Sequence, residues 1–338
     1  MAATAKGGFA VALLGAGVLA LVFADQAFVG LAPNGSLVIT PKDGHQVLVD
    51  GVVFGSLVET VRRQGEKLEK LGQQMIASQC SISAGMAVSG LSDEPYKWWG
   101  GVLADNRKIY GIPFGADVIL VFDPSTYTAD TIPILGHNGN ASWCGGVRAD
   151  NGMIYGIPYG STSVLIIDPT DNTTDTTTIT GLRGKGAWRE GVLAGNHKIY
   201  GMPAEASSVL IIDPSTNTVD TSSITGLDGD SKWFGGVLGG NGKIYGIPFN
   251  SESVLIIDTA TNTADTTTIS GLGAQVYKWS GGSLANNGKI YAHPQLAGSV
   301  LIIDPAADTA DITTIKVPTG GGKWASGVSA GDGKIYCC

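Results

Sequence analysis

From Trp98 onward the chain is built of short apolar runs broken by Gly, Pro, Asn and Asp. Between Lys232 and Leu272 there are four such runs: "WFGGVLG", "KIYGIP", "SVLIID" and "ADTTTIS". β-branched and aromatic residues dominate them, and none has the spacing of an amphipathic helix. They predict four strands. Asn241-Gly242 separates the first two and predicts a type I′ hairpin turn. "DPSTNT" from Asp213 marks the third turn in the preceding copy, where Pro presets φ and Asp can bond the turn backbone.

The same four runs recur. Each copy is headed by a Trp, at 98, 143, 188, 233, 279 and 324, with spacings of 45, 45, 45, 46 and 45. A fixed period of this size indicates a solenoid or a propeller. Tight hairpins at every junction exclude a solenoid coil of parallel strands. Four antiparallel strands per repeat describe a propeller blade. The expectation is therefore an all-β fold, a β-propeller with five complete blades (98–142, 143–187, 188–232, 233–278 and 279–323) and a partial sixth.

"GKIYGIPFNSESVLIIDTATNTADTTTI", from Gly242, resembles the YVTN-type propeller repeat, and the Gly pair beside each Trp resembles kelch repeats. The resemblance covers residues 98–338. It implies the propeller fold. It leaves function open, because propellers host binders, lyases, hydrolases and oxidases.

An open propeller would expose sheet edges. "SAGMAVSGLSDEPYKW", from Ser83, lines up with "DTTTISGLGAQVYKW", from Asp265, so residues Gly85 to Leu91 are expected to lend the sixth blade its outer strand. "SLVITPKDGHQVLV", from Ser36, reads as strand–turn–strand and offers a further one. The alternative, which the uncovered edges favour, is that the sequence is an incomplete reading of a longer chain.

Before the repeats the pattern changes. Lys6 precedes an apolar run, Phe9 to Phe23, of signal-peptide length. Small residues at Val22 and Ala24 fit cleavage after Ala24, and an uncleaved anchor is the other reading. Residues 1–24 are thus a signal peptide or signal anchor, 25–79 a strand and helix segment, and 80–338 the propeller. Ser56 to Glu59 reads as a capping box. Leu57, Val61, Gln64, Leu68, Leu71 and Met75 then form a short a/d seam over 56–77. That seam fits a homo-oligomerising coiled coil, or a helix packed on its own propeller.

Composition narrows the partners. The net charge is −8 with no Lys/Arg cluster, which argues against nucleic acid. The N-terminal segment is the one candidate membrane element. A secretory-pathway protein, extracellular or anchored, fits the leader and three Asn-X-Ser/Thr triplets at Asn34, Asn140 and Asn172. Among four cysteines, Cys80 could pair with Cys337 or Cys338 in an oxidising compartment. Cys144, beside Trp143, reads as a buried small residue.

Candidate chemistry starts from the repeat. Each Trp reads as packing between blades, and the Tyr of "KIY" likewise. Asp123, Asp168, Asp213, Asp258 and Asp304 are each followed seven residues later by Asp130, Asp175, Asp220, Asp265 and Asp311. Ca²⁺ is conceivable there, but no known calcium-loop spacing appears, and Asp at a turn usually serves its own backbone. No metal ligand and no cofactor is assigned.

In a four-strand meander the first and third turns share one face, and the second turns and blade links share the other. First and third turns barely vary between units, whereas second turns and links do. An asymmetric ligand requires the variable face. Its candidate ligand-binding residues are Phe114, His137, Tyr159, Arg183, Arg189, Glu205, Phe249 and Tyr277; Lys185, Asp228, Asp230 and Glu252 lie in the same loops. Two departures from the repeat stand out. Glu190 replaces the first Gly of the pair in "WREGV", and His293 replaces the apolar residue of "GIP". Together they could form an acid–base pair near the channel; drift between repeats is the plainer reading. No nucleophile-elbow, P-loop or zinc-protease motif occurs. The expected function is a binding module for a protein or glycan. A propeller enzyme, lyase or hydrolase, is the alternative, and a purely structural surface protein is a third.

Overall fold

The computed structural model describes strand backbone within residues 4–53, and residues 96–134, 142–318 and 323–337. The chain forms two compact units, Met1–Ala87 and Val88–Cys338. In the first, the apolar run assigned to a leader is paired as Gly8–Gly15 with Val18–Phe23. Leu37–Pro41 is a strand, as the pattern after Ser36 suggests, but it pairs with Ala27–Leu31. Leu48–Val49 pairs with Val52–Val53. The helix expected over 56–77, the strand expected near Gly85 to Leu91, and any bridge from Cys80 lie outside the described residues.

The second unit is all-β. Five four-stranded antiparallel sheets follow one another, each in simple meander order, and a two-stranded sheet, Gly327–Ser329 with Ile335–Cys337, follows them. The fourth blade is typical. Its strands are Trp233–Leu238, Lys243–Pro248, Leu255–Asp258 and Thr263–Asp265. No helix occurs among the described residues.

Each conserved element of the repeat has a physical task. The Trp joins two blades: Trp188 packs with Val147, Ile157 and Ile166 of the blade before it and with Leu210 and Ile212 of its own. Its indole N–H donates to Ser208 O at 2.8 Å, and the bond recurs twenty residues on from every complete-blade Trp. The paired glycines do different things. The first sits in a bulge where the ladder register shifts, and needs positive φ: 78° at Gly100 and Gly145, 72° at Gly235. The second makes room for the neighbouring blade. A Cβ on Gly146 would stand 2.6 Å from Cδ1 of Ile112, and one on Gly191 would stand 2.7 Å from Cδ1 of Ile157.

In the first four blades the Tyr of the second strand and the Asn of the first turn clamp the next blade. Tyr155 Oη donates to Asn217 Oδ1 at 2.7 Å, while Asn151 Nδ2 donates to Tyr155 Oη and to Pro214 O, both at 3.1 Å. First turns therefore meet third turns on one face, as the meander predicts. Asn172, one of the three glycosylation triplets, gives its Oδ1 to Tyr110 in this way.

Two local expectations change. The first turn is not type I′. Gly242 N donates to Gly239 O, so the central residues are Gly240 and Asn241, neither with positive φ, and Gly242 follows at φ 81°: a type I turn closed by a left-handed residue. Asn241 keeps negative φ because its side chain is bonded to Lys243 N and Tyr245 Oη. The fourth strand is also shorter than "ADTTTIS" suggests, ending at Asp265. The Asp265 carboxylate accepts from the N–H groups of Thr267 and Thr268, so the side chain takes the backbone out of the ladder. Asp220 does the same, and the Ser223 hydroxyl with the Ser222 N–H holds its pKa down to about 2.

Candidate functional site

In the five complete blades the residue after each Trp lies on the innermost strand: Trp99, Cys144, Arg189, Phe234 and Ser280; Ala325 holds the same place in the sixth repeat, just ahead of the strand Gly327–Ser329. Successive inner strands pack against one another around the channel. On the variable face these residues meet the first residue of the second turns, Phe114, Tyr159, Phe249 and Gln295. All of these except Tyr159 line a cavity of about 200 Å³ together with Tyr277 from a blade link, and Tyr159 contacts two of them, Phe114 and Arg189.

Six aromatic rings form one continuous arc there. Tyr159 meets Phe114 at 5.6 Å between centroids, Phe114 meets Trp99 at 5.4 Å, and Trp99 meets Phe234 at 5.8 Å. Phe234 meets Phe249 at 5.4 Å, and Phe249 meets Tyr277 edge-on at 4.9 Å. Phe234 and Phe249 are buried, Trp99, Phe114 and Tyr159 are half-buried, and Tyr277 is 47% exposed.

Arg189 stands inside this arc. Its guanidinium carbon lies 4.9 Å from the Tyr159 ring centre, 5.0 Å from Phe234 and 5.5 Å from Phe249. Its Nη2 donates to Tyr159 Oη at 2.9 Å. Among the described residues it has no carboxylate partner within ion-pair distance. Gln295 also lines the cavity, and its Oε1 is buried without a hydrogen-bond partner among the described residues. A planar donor fork against rings, with an unused acceptor on another lining residue, can hold a flat or ring-shaped polar ligand.

Glu190 occupies the bulge position that is glycine in the other complete blades, and it keeps that backbone, with φ of 55°. A bulky residue there is strained. The Glu190 side chain lies between the bulge glycines of the neighbouring blades, Gly145 and Gly235. Its Oε2 would lie 2.3 Å from a Cβ on Gly235, which only glycine avoids. The carboxylate takes no hydrogen bond among the described residues. Burial raises its pKa to about 7, opposed by the Arg189 charge. The residue as a whole is half-buried.

His293 and Glu190 approach the same glycine. A Cβ on Gly281 would stand 3.7 Å from His293 Nδ1 and 3.8 Å from Glu190 Oε2. They share no hydrogen bond. His293 is buried with both nitrogens engaged: Nδ1 with Ser280 O at 3.3 Å and Nε2 with Ser283 Oγ at 3.2 Å. Burial lowers its pKa. The imidazole fills the space over Gly327 that Ile112, Ile157 and Ile247 fill over the glycines of other blades.

Of the residues expected from sequence, Phe114, Tyr159, Arg189, Phe249 and Tyr277 come together. Arg183 and Glu205 do not join them. Their charges act instead on Lys232, whose buried ammonium donates to Ala204 O, Ala206 O and Gly229 O at 2.7, 3.0 and 2.8 Å. Burial lowers the Lys232 pKa to about 8, and Asp230, Asp228 and Glu205 offset part of that. His137 lies outside the described residues. Trp99, Phe234 and Gln295 were not expected. The signal for the first two is a position that changes in every unit while its Trp and Gly neighbours stay fixed. Cys144 is buried in the cavity wall, and burial pushes its thiol pKa far up. The paired Asp residues serve backbone N–H groups and hydroxyls of their own turns.

No protein-family model matches the chain, and no curated protein matches it. Solved structures do. The chain is similar to a streptogramin B lyase, with a TM-score of 0.58 and 11% identity over 94% of this chain and 86% of that one. It is similar to virginiamycin B lyase from Staphylococcus aureus, with a TM-score of 0.57 and 12% identity over 73% and 86%. The extracellular domain of a one-component system from B. thetaiotaomicron gives 0.52 and 11% over 70% and 31%. At such identities the likeness concerns the fold, and the fold is a β-propeller.

Proposed function

We propose that this chain is a propeller binding module that recognises a glycan at the variable face. The carrying observation is the arc of six rings with Arg189 inside it, opening beside the exposed Tyr277. Aromatic faces take up the apolar face of a sugar ring, and the Arg fork and Gln295 fix its polar edge. A cavity of about 200 Å³ is smaller than most drug-sized pockets, so it suits one sugar ring at a chain end. A secreted or anchored protein is part of this reading. The apolar run after Lys6 supports it, and one propeller neighbour is an extracellular domain.

The test is a glycan array probed with the full chain. Selective signal on a related set of glycans is expected. A blank array from folded protein, with capture on immobilised peptides instead, would move the site to a protein partner. A second reading, a propeller enzyme, is favoured by one observation, the strained and unpartnered Glu190. New products from the bound glycan, abolished by Glu190→Gln, would establish it; unchanged glycan is expected.

A further inference from the structure

Resting on that glycan reading, we infer that the ligand is an acidic sugar, whose carboxylate pairs with Arg189 while its ring lies against the aromatic arc. The observation behind it is an imbalance of charge in a confined place. Arg189 is half-buried, lines the cavity, and spends one donor on Tyr159. A guanidinium presents five N–H donors and matches a carboxylate in bidentate geometry. Cation–π contact with three rings fixes its plane without satisfying those donors. A neutral sugar would leave the charge unpaired. Gln295 also lines the cavity, and its buried, unpartnered Oε1 would accept from a ring hydroxyl once the side chain turns toward the ligand.

Glu190 is the one acid beside the guanidinium on the same strand, and it sets the pH behaviour. The groups that face it are Arg189, the Cys144 thiol of the preceding blade and His293 of the fifth. Cys144 stays protonated because burial raises its pKa, and His293 stays neutral because burial lowers its own. The Glu190 carboxyl loses its proton near pH 7. Below that the site carries the single positive charge of Arg189. Above it, a second carboxylate repels the ligand's. Affinity for an acidic sugar therefore falls as pH rises through about 7, and affinity for a neutral one does not.

The experiment is calorimetric titration of the full chain at about pH 6 and about pH 8, on either side of the Glu190 transition. The probes are methyl glycosides of glucuronic acid, galacturonic acid and N-acetylneuraminic acid, each beside the analogue with its carboxylate reduced to the alcohol. At least one acid should bind about tenfold tighter than its alcohol at the lower pH, the difference a charge-assisted bond supplies. That advantage should shrink at the higher pH. Arg189→Gln should erase the advantage while the alcohol still binds. Glu190→Gln should keep the advantage and make it independent of pH. Equal binding of an acid and its alcohol, or a preference that survives Arg189→Gln, overturns the acidic class and leaves the glycan reading standing. Binding of none of the probes, with a blank array, overturns both.

Discussion

The indole of Trp99 in the first blade meets the ring of Phe234 in the fourth, with centroids 5.8 Å apart. The two residues lie on opposite inner strands, so the contact spans the channel mouth and joins the two halves of the arc. Phe234 is 4% exposed. Phe234→Ala is expected to cost about 3 kcal/mol of stability, the usual loss for a buried Phe, and to abolish glycan binding. Chemical denaturation together with the array checks both parts.

Glu190 should make the propeller less stable as pH rises. Its carboxyl titrates near 7 in the fold and near 4.5 unfolded. Between those values the folded state holds a proton that the unfolded state has lost, so stability falls with rising pH. Glu190→Gln should therefore be more stable than the parent at about pH 8 and equal to it at about pH 4, by at most about 3 kcal/mol, because the residue is half-buried and solvent screens part of the effect. Glu190→Gly should gain about 1 kcal/mol more, since glycine adopts the left-handed backbone without strain. Urea titrations across pH measure this; a parent curve that rises with pH over that window contradicts it.

The inter-blade clamp predicts a graded series. Tyr155→Phe removes the hydroxyl that links Asn151 to Asn217 of the next blade and should cost about 1 kcal/mol, the usual worth of a partly buried hydrogen bond. Tyr291 bonds only Asn287 of its own blade among the described residues. Tyr291→Phe should cost less, and equal losses would show that the hydroxyl serves each blade separately.

The second glycine of each pair should resist any side chain. Gly146→Ala would press a methyl against Ile112 and should cost about 1–3 kcal/mol by overpacking. Combining it with Ile112→Val should recover part of the loss. A double variant no better than the single would place the strain elsewhere.

The period and the turn residues carried most of the fold. Trp, Gly pair, Tyr and Asp each have one task that recurs in four or five blades, and a task repeated that often leaves a visible mark. The outer strand was overestimated because Thr-rich sequence signals β structure, whereas Asp265 draws the next two N–H groups away from the ladder. The site was legible in part. Phe114, Tyr159, Phe249 and Tyr277 were marked by variation in loops. Trp99 and Phe234 were hidden inside the most regular strand, where a single changing position is masked by its constant neighbours. Arg183 and Glu205 were grouped with the site by face alone, and sequence does not give the radius at which a loop residue stands. Pairing Glu190 with His293 rested on proximity to the axis. That proximity is real, but Ser280 and Ser283 already hold both imidazole nitrogens.

Tyr277 and Tyr96 give the most direct test of the binding face. Both stand two residues before a repeat Trp, both have positive φ (56° and 57°), and both are exposed. Tyr277 touches the arc through Phe249, whereas Tyr96 has no ring partner among the described residues. The measurement is the glycan-array profile of the full chain beside Tyr277→Ala and Tyr96→Ala. The arc predicts that Tyr96→Ala keeps the parent profile and that Tyr277→Ala loses it. A profile unchanged by Tyr277→Ala, or no signal from the folded parent, would contradict a glycan site on this face.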